Sequence, residues 1–139
     1  LRRAAGEAIT EVPAQPSNHA IECRLYAENP AKRFFPSPGP LTTLTLPAEL
    51  PGVRIDTGFR EGDEITMYYD PLIAKLIAFG SDRHQAIERM QALLAAARVE
   101  GIVSNLGFLR NVLAHPAFAS GTITTDFINV HGEALLAGL

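Results

Sequence analysis

The sequence predicts an α+β domain: a mainly antiparallel sheet of about five short strands over residues 20–79, followed by two or three helices packed on it. Three observations carry this reading. Between residues 20 and 79, apolar and polar residues alternate in short runs broken by Pro and Gly, the period-two pattern of strands joined by turns. After Gly80 the pattern lengthens to the period of an amphipathic helix. No helical segment separates the strand segments, so they are joined by turns, which favours antiparallel pairing over crossover units.

The first strand spans residues 20–26, where Ile21, Cys23 and Leu25 alternate with Glu22, Arg24 and Tyr26. Pro30, Pro36, Pro38, Gly39 and Pro40 follow; fixed φ and missing N–H groups exclude a central strand, so an ordered loop is expected. Residues 41–46 alternate leucine with threonine, 53–57 alternate again, and 64–69 lead into an apolar run over 72–79. In that run Leu72, Ala74, Leu76 and Ala78 face one way, and Ile73, Lys75, Ile77 and Phe79 the other. With no polar face, the strand is expected to be covered on both sides. Lys75 then needs a carboxylate or carbonyls, because burying an unpaired ammonium costs several kcal/mol or more. Asp70, Glu22 and Glu28 are the candidate partners.

Ala86, Ile87, Met90, Leu93, Leu94 and Ala97 form the apolar stripe of a first helix, with Ser81 or Asp82 as N-cap and Gly101 as its stop. Asn105 is expected to cap a second helix that Pro116 ends, and Thr125 a short third one burying Phe127 and Ile128.

At 139 residues the chain suffices for one core without disulfides or metal staples. A formal charge of −3 argues against nucleic acid as a partner. No apolar stretch is long enough to span a bilayer, and no signal-peptide pattern is present, so a soluble, cytoplasmic protein is expected. The lone Cys23 suits a reducing compartment and reads as a buried packing residue. Residues 1–18, with Gly6, Pro13 and Pro16, read as a helix remnant and linker.

Chemistry-bearing motifs are scarce. The four histidines are scattered, without His-Glu-x-x-His or Cys-x-x-Cys spacing, so no metal site is expected. His84 and Glu88 read as a solvated helix pair. Gly52, Gly58 and Gly62 are spaced as turn glycines rather than a phosphate cradle, and Ser37 sits between prolines as a rigid turn. Carboxylate pairs such as Glu22 with Glu28, or Asp56 with Asp70, are left open by sequence. Arg54, alternating outward from Val53 and Ile55 on the face of Asp56, reads on these grounds as a solvated strand arginine in a modest ion pair.

Tyr68-Tyr69-Asp70-Pro71-Leu72-Ile73-Ala74-Lys75-Leu76-Ile77 resembles the Tyr-Tyr-Asp-x-x-x-x-Lys-Leu-Ile signature of the C-terminal domain of biotin carboxylases. The stretch from His19 through Pro30, then Phe35 to Gly39, resembles that domain's opening, and Gly52-Val53-Arg54-Ile55-Asp56 its middle. Gly101 to Asn105 and Thr125-Asp126-Phe127-Ile128 resemble its end. The resemblance runs collinearly over residues 19–131. The departures are Asn18-His19 for the family's Gly-His, and Val103 where the family carries a lysine.

The resemblance implies residues 19–139 as a biotin carboxylase C-terminal domain, preceded by an ATP-grasp domain to which residues 1–18 belong. The parent enzyme would be an ATP-dependent ligase that activates bicarbonate with ATP and Mg and carboxylates carrier-bound biotin, in an acyl-CoA, pyruvate or urea carboxylase. Its partners would be the ATP-grasp domain, a biotin carboxyl carrier and a second subunit in a homodimer. This stretch alone is expected to be inactive and to bind no cofactor tightly. By position, Arg54 takes the role of the arginine that contacts the ureido oxygen of biotin, Phe127 and Ile128 approach the adenine of ATP, and Arg83 falls in a dimer-contacting segment. Lys75 and Asp70 are expected to be structural charges. The alternative is a non-catalytic dimerisation and docking module of a larger carboxylase, with Arg54 an ordinary surface charge.

Overall fold

The computed structural model describes residues 4–8 and 17–139. The expected helix remnant and linker fall largely outside the described residues; within them, Gly6 closes a turn with φ +88°.

The chain is α+β. A three-stranded antiparallel sheet places β8 (Leu72–Gly80) between β1 (His19–Tyr26) and β6 (Val53–Thr57). The other strands form three two-stranded ladders: β2 (Glu28–Asn29) with β3 (Phe35–Pro36), β4 (Gly39–Pro40) with β7 (Glu64–Ile65), and β5 (Thr43–Thr45) with β9 (Arg98–Glu100). Four helices follow the main sheet: α1 (Arg83–Ala96), α2 (Leu106–Ala114), α3 (Pro116–Ser120) and α4 (Phe127–Leu136). A single five-stranded sheet is therefore not what forms. The threonine-leucine run pairs with β9, and Met67, Tyr68 and Tyr69 are an exposed turn instead of a continuation of the strand at 64.

The core lies between the main sheet and α1. Leu25, Leu76 and Ala78 meet Ala86, Met90, Leu93 and Leu94, all fully buried. Cys23 joins them, and burial pushes its thiol up to about 12. The opposite face of β8 is closed at Ile73, which is buried, and opens along the strand: Lys75 and Ile77 are half-buried and Phe79 is 44% exposed. Only one face is packed by helices, so the apolar run reflects its central position in the sheet and not a helical layer on each side.

Gly80 ends β8 where a β-carbon would lie 2.5 Å from the Ala86 amide nitrogen, and this contact brings the first turn of α1 onto the strand end. Asp82 caps α1, its carboxylate accepting from the Gln85 amide at 2.9 Å. The helix stops at Ala96, before the expected Gly101, because residues 98–100 are drawn into the ladder with β5. Gly101 instead allows a tight turn: at φ +93°, a side chain there would overlap the Pro40 carbonyl.

Two expected caps are also corrected. Asn105 occupies the N-cap position of α2 but makes no capping bond. It is buried, and its side chain bonds to the outer edge of β1. For α4 the N-cap is Asp126, not Thr125. Pro116 ends α2 as expected and then opens α3, with His115 Nδ1 accepting from the Ala117 amide at 3.2 Å. In the proline-rich loop, Ser37 Oγ accepts from the Val103 amide, tying the loop to the segment before α2.

Candidate functional site

Register defines a charged surface on the sheet face turned away from the helices. Across the three strands, Arg24, Lys75 and Asp56 form one row, and Glu22, Ile77 and Arg54 the next. Residues paired in antiparallel strands project to the same side, so three cations and two carboxylates share this face.

Arg54 is exposed, with two-thirds of its side-chain surface accessible (66%). Its Nε donates to Asp56 Oδ1 at 3.0 Å and its Nη2 to Asp56 Oδ2 at 3.1 Å. The carboxylate docks side-on along one edge of the guanidinium and raises the pKa of Arg54, first by these hydrogen bonds and then by its charge. Both Nη1 hydrogens and the second Nη2 hydrogen remain, forming the end-on edge of a planar, pre-oriented donor. Bidentate geometry and exposure together describe a cation that is fixed yet available.

Lys75 departs from the sequence expectation. Among the described residues its side chain has no hydrogen bond and no ion pair, although it is half-buried at the centre of the sheet. Asp56 is directly opposite in register, but both of its oxygens are engaged by Arg54. On the other side Arg24 donates from Nε to Tyr26 Oη at 2.9 Å and packs 5.4 Å from that ring. Of the other expected partners, Asp70 accepts from the Leu72 amide at 2.8 Å and shapes the turn into β8. Glu28, its carboxyl pushed up by burial and then by Asp70, lies beside Asp70 rather than Lys75. The expected pairing of Lys75 with Asp70, Glu22 or Glu28 is therefore corrected: Asp70 shapes the turn into β8, and among the described residues Lys75 is a cation without a partner, next to Arg54 and Asp56.

The remaining candidates lie elsewhere. Phe127 is buried at the start of α4, with its ring 5.3 Å from His115, 5.0 Å from His131 and 6.3 Å from Phe118. Ile128 is 50% exposed, contrary to the expected buried pair. Helix α4 packs on α2, and no hydrogen bond or ring contact connects Phe127 with Arg54. Arg83 is held inside the domain: it donates to the Phe118 carbonyl, approaches His19 Nε2 at 3.2 Å and stacks 4.8 Å from the Phe118 ring. A cleft of about 160 Å³, lined by Leu50, Pro51, Val53, Arg89 and Ala92, opens on the helix side of β6, away from the Arg54 face.

Sequence alternation placed Arg54 with Asp56, but the neighbourhood of Lys75 needed the strand register, which the sequence does not encode locally. The ring cluster of His115, Phe127 and His131 had no sequence signal either, since it joins the residue between α2 and α3 to α4.

A family model for the biotin carboxylase C-terminal domain matches residues 22–130. Over 140 residues the chain is 44% identical to the mitochondrial methylcrotonoyl-CoA carboxylase subunit alpha of Mus musculus, an alignment covering 98% of this chain and 19% of that protein. It is 45% identical over 133 residues to biotin carboxylase 2 of Bacillus subtilis, covering 94% and 30% respectively. Among solved structures it is similar to the biotin carboxylase subunit of pyruvate carboxylase, with TM-score 0.89, 33% identity, and 98% of this chain and 30% of that one covered. It also matches the biotin carboxylase domain dimer of Hydrogenobacter thermophilus 2-oxoglutarate carboxylase, in complex with MgADP, ADP and bicarbonate. That match has TM-score 0.89 and 32% identity over 99% of this chain and 31% of that one. The chain thus spans less than a third of the relatives it matches.

Proposed function

Because the chain belongs to the biotin carboxylase C-terminal domain family, we propose that it completes the site of an ATP-dependent biotin carboxylase by supplying Arg54 to the ureido oxygen of carrier-bound biotin. The observation that carries this reading is the divided guanidinium: one edge is clamped by Asp56 and the other is open on an exposed sheet face. The substrate fits that edge, since a carbonyl-type oxygen accepts two convergent N–H donors. When the ring nitrogen loses its proton, negative charge gathers on the ureido oxygen. A fixed cation there stabilises the charged form more than the neutral one, which lowers the barrier instead of merely strengthening binding.

The partners in this reading are a preceding ATP-grasp domain, a biotin carboxyl carrier and a second subunit. The open sheet face, with Ile77 half-buried and Phe79 44% exposed, supports a covering partner. In this reading magnesium and the nucleotide phosphates are held by the ATP-grasp domain; among the described residues there is no group of three His, Cys, Asp or Glu side chains that could hold a metal ion. The adenine-side role of Phe127 is weakened by its burial among rings, whereas the exposed Ile128 keeps a surface for contact. The stretch alone should lack ATPase activity, and bicarbonate-dependent hydrolysis by it would count against this division of labour.

Steady-state kinetics of the full-length carboxylase test the reading. Arg54→Gln should lower kcat for biotin carboxylation by about 10²- to 10³-fold, with a much smaller change in KM for biotin. A rise in KM at unchanged kcat would make Arg54 a simple binding or surface charge and favour the docking-module alternative.

A further inference from the structure

Among the described residues the central, half-buried Lys75 has no counter-ion of its own, and the carboxylate opposite it in register is already engaged by Arg54. We infer that Asp56 is a positioning residue shared by two cations, docking on Arg54 in the free enzyme and shifting toward Lys75 when substrate engages the guanidinium.

The geometry supports each part. Asp56 and Lys75 are paired across adjacent strands of one antiparallel ladder, where opposite side chains stand within reach of each other. Asp56 is 45% exposed, so its carboxylate has room to turn. The other groups on this face do not compete. Arg24 is held by the Tyr26 hydroxyl; Glu22 is in the next row, opposite Ile77. Lys75 gains its missing carboxylate by the exchange, which offsets part of what Arg54 gives up. Meanwhile the guanidinium, no longer neutralised along its side edge, presents more positive charge where charge develops on the substrate. Before substrate arrives, Asp56 aims the open edge, and without it Arg54 would be free to adopt many rotamers; once engaged, the substrate itself holds the guanidinium. The ion pair is exposed and therefore weak enough to be exchanged.

This inference rests on Arg54 acting on the ureido oxygen, and the test separates the two claims. In the full-length carboxylase, with free biotin as the probe, kcat and KM are measured for Arg54→Gln, Asp56→Asn, Asp56→Glu, Lys75→Met and the Asp56→Asn, Lys75→Met double variant, with Tm as the folding control. Asp56→Asn should lower kcat about tenfold with little change in KM, and Asp56→Glu should restore most of the loss. Lys75→Met should lower kcat severalfold alone and add nothing in the Asp56→Asn background, because its only role is then already gone. Multiplicative losses in the double variant, or an unaffected Asp56→Asn beside a crippled Arg54→Gln, would overturn the shared counter-ion while leaving Arg54 in place. An unaffected Arg54→Gln would remove the reading on which the inference stands. If Lys75→Met lowers Tm sharply, Lys75→Arg is the second variant: it keeps the charge, and its kcat should stay near that of the parent, whereas a loss as large as that of Lys75→Met at intact Tm would contradict the exchange.

Discussion

Asn105 completes the edge of a strand almost eighty residues earlier: its Oδ1 accepts from the Tyr26 amide at 2.8 Å and its Nδ2 donates to the Arg24 carbonyl at 3.0 Å. The backbone amide of Asn105 donates to the Tyr26 carbonyl at 3.1 Å as well. Since β1 is an edge strand, these bonds stand in for a missing ladder partner. Asn105→Asp removes the donor and leaves the Arg24 carbonyl without it, so equilibrium unfolding in denaturant should show a loss of about 1–3 kcal/mol. Asn105→Ser should be intermediate.

Leu76 is fully buried at the centre of the middle strand, beneath the apolar stripe of α1. Leu76→Ala removes several methyl groups from a site held on both sides by paired strands. The expected cost is about 2–5 kcal/mol, read from the same denaturant curves. Ile77→Ala, on the open face, should cost distinctly less.

Cys23 gives the stability a pH dependence at the alkaline end. Its folded-state pKa is raised from 9.0 to about 12, with burial the larger cause and the charge of Glu22 the smaller. The contribution is therefore fully present below 9 and is lost as pH rises through 9 toward 12, because only the unfolded chain releases the proton in that window. Denaturation midpoints between pH 8 and 10.5 should fall more steeply for the parent than for Cys23→Ala. Iodoacetamide should label the thiol at pH 8 only after unfolding.

Asp82 acts at the acid end. Its carboxylate accepts from the Gln85 amide at the start of α1, and this bond, the largest cause, lowers its pKa. Its contribution is present above the ordinary carboxylate range and is lost as pH falls through the lowered folded value. Asp82→Ala should lower Tm at pH 7 by a few degrees, with the difference from the parent shrinking as the carboxylate of the parent is protonated.

The strands at 19–26, 53–57 and 72–80 were legible because alternation, turn residues and the switch at Gly80 agree locally. The errors arose where long-range pairing overrode local pattern. Arg98–Glu100 left the helical register to pair with Thr43–Thr45, and Asn105 gave up a cap for the edge of β1. Likewise, alternation places Arg54 and Asp56 on one face, yet only the ladder reveals that Lys75 joins them. Arg83 was expected in a dimer-contacting segment; its contact with the Phe118 carbonyl inside the domain depends on α3, a helix too short to anticipate.

The most direct test of the central claim is a structure of the full-length protein with biotin bound. The ureido oxygen should lie at hydrogen-bond distance, about 2.8–3.0 Å, from the end-on edge of Arg54, with Asp56 on the adjacent side edge or turned toward Lys75. A ureido oxygen bound by other donors, with Arg54 and Asp56 paired as here and remote from it, would contradict the claim.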